Sequence, residues 1–398
     1  MPSTKDGMLL AIDDAAVTIG AQFREVALGL LITALNPSAS SYAWYFLAGS
    51  LPGLVLAHTY SWTSRRLGAR TVMMTTYLVR LLLVLGLWRI TNFWAAMALL
   101  AGLFAGSGFY SASQAHYVAV PGNFTGTRRV VMRLRQSESA MRLIGPLLAG
   151  VVLSGIGYRS GFLFSAGAYA AACLTIAQLT PQAGSRDTVH DVRIDWQPDG
   201  PALAMLGLSF LTWQANTLAM AYTFHVLHRG TFGYGLTLSV WGGSGLVASL
   251  ILSRIQKTPM RWIPVMFLVL GTSWLVLSHG VTFPIFVILG GVEGCAGWIV
   301  QDLTTALILS EAPSGQAGQA RARLGAFEKV GSIAGTVTIL IVPGSWLVLP
   351  WYAVLGVAGL MTAGVWFIVD GSRRARRPGE RRKPSRSGTG AEDNEDSG

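Results

Sequence analysis

Residues Pro181-Gln182-Ala183-Gly184-Ser185-Arg186-Asp187 through Trp196-Gln197-Pro198-Asp199-Gly200 form the one long polar interruption in the first 370 residues. Roughly equal lengths of apolar sequence lie on either side. Each side breaks into six hydrophobic runs long enough to cross a bilayer, which takes about 20 residues. The runs fall near 8–34, 41–62, 71–89, 93–118, 137–156 and 160–180, then near 201–226, 234–253, 262–279, 283–310, 325–344 and 349–369. Two such halves on one linker read as an all-α integral membrane protein with twelve transmembrane helices in two pseudo-symmetric six-helix bundles. The expected units are residues 1–180, a cytoplasmic linker 181–200, residues 201–370, and a disordered cytoplasmic tail 371–398, which is poor in apolar residues.

Composition agrees with this division. The chain is 52% hydrophobic and only 12% charged, against about 25% charged for a soluble domain, so the bilayer rather than water must cover its surface. A net charge of +11 does not indicate nucleic acid, because the basic residues sit between apolar runs and in the tail. Arg65, Arg66, Arg70, Arg128, Arg129, Arg254, Lys257, Arg321 and the tail cluster share one face. Arg89, Arg159 and Arg229 stand on the other. That asymmetry puts both termini and the linker in the cytoplasm of a plasma-membrane protein. Asp13 and Asp14 interrupt the first run, against a cleavable signal. Cys173 and Cys295 lie inside apolar runs and offer neither a disulfide framework nor a metal site.

The first run carries the most information. Asp14, Thr18, Gln22, Glu25 and Gly29 recur at helical spacing and share one face. A polar face inside lipid must look into a cavity or a partner helix. Arg24 lies off that face near mid-membrane and requires a partner, expected to be Glu138 or Asp302. In the tenth run, Glu293 and Asp302 point to opposite faces, with Glu293 nearer the midplane. A carboxyl in a low-dielectric cavity is costly to charge and can carry a proton. Glu25, Glu293 and Asp302 are therefore the candidates for proton coupling. Gln22, Arg24, Tyr110, Gln114, His116, Trp213, Gln214, Asn216 and Gln301 are candidates for contact with substrate, or for interhelical packing. Glu138 and Arg142 are placed to pair along one helix. His225 and His228 are too few to make a metal site.

The two halves repeat. Gly102-Leu103-Phe104-Ala105-Gly106 parallels Gly291-Val292-Glu293-Gly294-Cys295, Gly53-Leu54-Val55 parallels Gly245-Leu246-Val247, and Ile144-Gly145 parallels Val330-Gly331, all at nearly the same offset. Glu328 then occupies the repeat position of Arg142, which makes the two a candidate latch between halves.

Read with the segment Ser61-Trp62-Thr63-Ser64-Arg65-Arg66-Leu67-Gly68-Ala69-Arg70, the chain resembles the major facilitator superfamily of transporters. The family pattern there is G-x-x-x-D-R-x-G-R-R. Arg66, Gly68 and Arg70 fit it, while Ser61 replaces its Gly and Arg65 its Asp. Arg142-Leu143-Ile144-Gly145-Pro146-Leu147-Leu148-Ala149-Gly150 resembles the end of the family's antiporter motif. Ile19-Gly20-Ala21-Gln22-Phe23 resembles the first helix of its drug and siderophore exporters. The resemblance implies gating roles for Arg66, Gly68, Arg70, Gly145 and Pro146, joined by Glu138, Arg142 and Glu328. It further implies a monomer that exports a small amphipathic organic compound in exchange for protons. Uptake or lipid flipping by the same fold, and a non-transporting scaffold or receptor, are the alternatives. The sequence contains no H-E-x-x-H, no G-x-S-x-G and no nucleotide-binding motif. Neither an enzyme nor a cofactor is expected, and uphill transport must draw on an ion gradient.

Overall fold

The computed structural model describes residues 4–118, 124–180, 199–254, 261–311, 317–341 and 348–375. The linker at 181–198 and the tail beyond 375 lie outside the described residues. The described residues are helical apart from short turns, as lipid demands: a backbone without water must satisfy its own amides and carbonyls. The helices of the first half are α1 (Thr4–Leu35), α2 (Ala39–Val55), α3 (Ala57–Leu67), α4 (Ala69–Arg89), α5 (Phe93–Val118), α6 (Phe124–Ile156) and α7 (Ser160–Ala177). The second half has α8 (Gly200–Ala221), α9 (Thr231–Arg254), α10 (Trp262–Leu277), α11 (Phe283–Glu311), α12 (Ala317–Ile341) and α13 (Val348–Ala375), with one π turn at Tyr222–Val226 continuing α8.

Twelve spans follow, because α2 and α3 make one span between them. The single 41–62 run is broken at Leu56, four residues after Pro52 inside α2. Pro52 has no amide to give the Ala48 carbonyl, so α2 is weakened one turn earlier, while Leu56 itself leaves helical geometry with φ of −98° and ψ of 4° and keeps its bond to the Pro52 carbonyl at 2.9 Å. Helices α6 and α12 begin well before the apolar runs at 137 and 325. Their second turns carry Arg128 and Arg129, and Arg321 and Arg323, and hydropathy alone does not register a helix that continues out of the membrane.

Packing shows the duplication directly. In the first half α1 packs on α6 and α7, α5 on α2 and α4, and α4 on α7. In the second half α8 packs on α12 and α13, α11 on α9 and α10, and α10 on α13. Each contact has its counterpart. The halves meet along two matching seams, α6 with α9 and α2 with α12. Glycine makes the first seam possible. A Cβ at Gly235 would lie 2.4 Å from the Pro146 carbonyl oxygen, and one at Gly242 would lie 2.5 Å from that of Arg142.

An even number of crossings puts Thr4 and Ala375, the first and last described residues, on one side, the terminal face. Gly68 turns α3 into α4 on that face with φ of 84°, a conformation that side chains disfavour. Arg70 then donates to the Ala177 carbonyl at 2.5 Å and ties α4 to the end of α7. At the start of α8, Asp199 accepts from Ala202 N at 2.9 Å as an N-cap and also pairs with Arg323 of α12.

Candidate substrate cavity

A cavity of about 660 Å³ lies between the halves, within the range of small-molecule sites. Helix α1 contributes Thr18, Gln22 and Glu25, three of the polar positions that share a face. Asp14 begins that face and Gly29 ends it against Phe224 and Tyr234. The second half contributes Trp213, Asn216, Trp241, Trp274, Glu293 and Gln301. Aromatic and aliphatic side chains make up much of the rest, with Ser209, Thr212 and Thr237 among them, and Glu25 and Glu293 face the space from opposite halves.

The two ends of the cavity differ. At the end remote from the termini, Tyr42 of α2 meets His225 at 3.1 Å between its hydroxyl and Nε2. The same hydroxyl lies 2.7 Å from Thr33 Oγ1. Phe224 stacks on Tyr42 with ring centroids 6.5 Å apart, and Phe46 meets Trp213 edge-on at 5.3 Å. These contacts join the halves. Toward the terminal face the wall is Glu138, Arg142, Gln301 and Glu328. Arg142 Nη2 donates to Glu138 Oε1 at 2.7 Å, and the two side chains are 41% and 29% exposed, so this end is wet. Glu328 stands on the opposite wall and does not pair with Arg142 in this arrangement.

Around Glu293 the second half is prepared but incomplete. Trp274 and Tyr352, both fully buried, stand beside its carboxyl. Glu293 Oε1 and Trp274 Nε1 are buried without a hydrogen-bond partner. A Cβ at Gly290 or Gly297, one turn to either side, would meet nothing within 4 Å. These glycines leave open space next to the acid. Glu25 has different company, with Arg142 and Arg24 close enough to act on its charge and Tyr45 and Tyr234 nearby.

Several sequence candidates lie away from the cavity. Arg24 turns into the first half, where Nη1 donates to Tyr169 Oη at 2.5 Å and to Ser165 Oγ at 3.3 Å. Neither Glu138 nor Asp302 is the partner of its guanidinium among those bonds. Arginine needs acceptors rather than a countercharge as such, and the α1–α7 contact supplies two hydroxyls. Tyr110 and Gln114 also face the first-half core. Gln214 is buried against α13 and accepts from Trp351 Nε1 at 3.0 Å. Asp302 is exposed outside the cavity. Arg66 is exposed over the Trp62 ring. Gly145 and Pro146 shape seams: Gly145 admits Gln22, and Pro146 abuts Gly235. The side chain of His116 lies outside the described residues.

A buried polar cluster inside the first half accounts for Tyr110 and was not anticipated from sequence. Asp13 is fully buried and accepts from Tyr77 Oη at 2.9 Å and Tyr110 Oη at 2.6 Å. Gln114 Nε2 continues the chain to Tyr110 at 3.1 Å. Arg80 lies 4.5 Å from the centroid of the Tyr169 ring, against which Arg24 at 5.9 Å and the Tyr77 ring at 5.8 Å also stand. Gly106 makes room for the Arg80 stem, since a Cβ there would lie 2.9 Å from its Cγ. The available signal was Arg80 itself, a lone charge in the middle of an apolar run. Phenol donors to a buried carboxylate carry much of its solvation. Tyr110→Phe should therefore cost about 1–3 kcal/mol and lower the melting temperature, whereas an unchanged melt in detergent would show that Asp13 does not depend on that bond.

Comparison with known proteins fits this architecture. The sequence model described as Major Facilitator Superfamily matches residues 18–336. No curated protein matches the chain by sequence. Among solved structures, a bacterial homologue of the iron transporter ferroportin in its inward-facing state superposes with TM-score 0.72 at 14% identity, covering 94% of this chain and 100% of that one. The nucleoside transporter NupG gives 0.69 at 13% identity, covering 91% and 99%. A POT family transporter in complex with 5-aminolevulinic acid gives 0.69 at 12%, covering 91% and 96%. At such identities the likeness is one of fold.

Proposed function

The chain belongs to the major facilitator superfamily, and from that premise we propose a secondary active transporter that exports a small amphipathic organic compound in exchange for protons. One observation carries the reading: a drug-sized cavity lies between the halves, joined at one end and wet at the other, with Glu25 and Glu293 in opposite walls. Residues 1–180 and 201–370 act as the two rocking bodies, working as a monomer in the plasma membrane with both termini in the cytoplasm. The terminal face is then the cytoplasmic one, and the arrangement described here is open to the cytoplasm. Rocking about the glycine seams breaks the Tyr42–His225 contact and closes the wet end. An acid in the cavity wall exchanges its proton with whichever side it faces. The reading is tested in cells that express the protein and are loaded with a fluorescent amphipathic dye. Export should stop when a protonophore collapses the gradient, and export that continues would exclude proton coupling.

Closure also calls for a latch. Arg142 and Glu328 face the same wet space from opposite halves. Arg142 holds Glu138 while the space is open and transfers to Glu328 when it closes. Cysteines at 142 and 328 should cross-link faster when the far end is held open than in the arrangement described here. Equal rates in both states would count against the transfer.

A further inference from the structure

We propose that the cavity recognises organic cations, with Glu293 as the counter-charge. This rests on the transporter reading above and names its substrate class. Four acids face the cavity, Glu25, Glu138, Glu293 and Glu328, against the one guanidinium of Arg142 among the described residues. Three of the four have basic or solvated surroundings. Glu138 holds Arg142, Glu25 lies within reach of Arg142 and Arg24, and Glu328 stands at the wet end. Glu293 has no basic side chain against it among the described residues, and its Oε1 is buried with no donor. When it is ionised, a positive group must arrive from the cavity to complete it.

The surroundings of Glu293 suit a cation with organic substituents rather than a metal ion. Metal coordination takes several oxygen or nitrogen ligands, and no cluster of three or more His, Cys, Asp or Glu capable of it occurs among the described residues. Aromatic rings crowd the carboxyl instead. Trp274 and Tyr352 flank it, and Trp241 and Trp298 pack together with centroids 5.8 Å apart on the same wall. Aromatic faces attract cations through the ring quadrupole, and most strongly where water is excluded. Gly290 and Gly297 leave room for bulk around the charge. An anion of the same shape would meet both the acids and the negative faces of the rings. Proton and cation then compete for one carboxyl, and their mutual exclusion gives exchange: the cation enters as the proton leaves Glu293, and the proton returns as the cation departs.

The test uses full-length protein in lipid nanodiscs. Tetraphenylphosphonium and tetraphenylborate, matched in shape and opposite in charge, are titrated against the fluorescence of the cavity tryptophans. Tetraphenylphosphonium should bind saturably and tetraphenylborate should not. Glu293→Gln should weaken phosphonium binding at least tenfold, or about 1.4 kcal/mol, while Asp302→Asn, outside the cavity, should change it less than threefold. The two probes on unaltered protein keep the question decidable if Glu293→Gln does not fold. Saturable borate binding, no saturation by phosphonium, or full phosphonium affinity in a folded Glu293→Gln would each overturn the assignment. A separate arm measures transport in proteoliposomes. Phosphonium that binds through Glu293 but is not moved by a pH gradient would refute the transporter reading and leave the cation site standing. Borate bound and moved in place of phosphonium would do the reverse.

Discussion

A Glu25→Gln variant is expected to lose proton-driven accumulation altogether while still binding substrate. Glu25 faces the cavity from α1, the helix that also forms the α6 and α7 contacts of the first half. Its neighbours Arg142 and Arg24 connect it to both the wet end and the buried cluster around Tyr169. Glutamine keeps the shape and hydrogen-bonding capacity of the side chain but cannot titrate. A transporter that needs a proton on Glu25 to change state is then fixed in a single protonation form, and its two faces no longer see different affinities. Glu293→Gln should also abolish accumulation, with the added loss of affinity that a direct contact implies. The measurement is substrate accumulation in proteoliposomes under an imposed pH gradient. If both variants accumulate at the normal rate, the buried acids are structural.

The second large effect falls on the α6–α9 seam. Gly235→Leu should destabilise the protein by about 1–3 kcal/mol, as overpacking does, or by more because the obstacle is backbone. Its first side-chain atom would sit 2.4 Å from the Pro146 carbonyl and 3.0 Å from Gly150 Cα. Neither group can swing away as the tip of a side chain would. Because the seam also joins the two halves, any folded fraction should transport poorly. Gly297→Ala is the control. Its new methyl meets open cavity, and alanine favours the helix by up to about 1 kcal/mol, so its melting temperature should hold or rise. Equal melts for the two variants would remove the seam from the account.

Much of this was legible in the sequence for simple reasons. Each bilayer crossing needs an apolar run, so the spans could be counted from hydropathy, and the repeat of Ile144-Gly145 at Val330-Gly331 has a structural counterpart. Gly145 receives Gln22 of α1, and Gly331 receives Leu206 and Ser209 of α8. Thr18, Gln22 and Glu25 line the cavity because helical periodicity places them on one face. The break at Leu56 and the early starts of α6 and α12 were not legible, since local backbone geometry and helix beyond the membrane leave little trace in hydropathy. Partner choice failed at Arg24, and the Asp13 cluster was not anticipated, for one physical reason. A buried charge announces that it needs partners, but hydroxyls from distant helices serve as well as an opposite charge, and only packing decides which arrive. Tyr110 and Gln114 were polar residues in an apolar run, equally consistent with cavity and core, and the fold turned them to Asp13.

The central claim is that cation and proton exchange through one cavity. Its most direct test is a pH-indicator measurement in proteoliposomes with an acidic lumen. Adding external tetraphenylphosphonium should alkalinise the lumen as the cation enters, and nigericin, by collapsing the gradient, should stop its accumulation. Glu25→Gln and Glu293→Gln should give no response. A lumen whose pH is indifferent to tetraphenylphosphonium, or that responds equally in the two variants, would contradict the account.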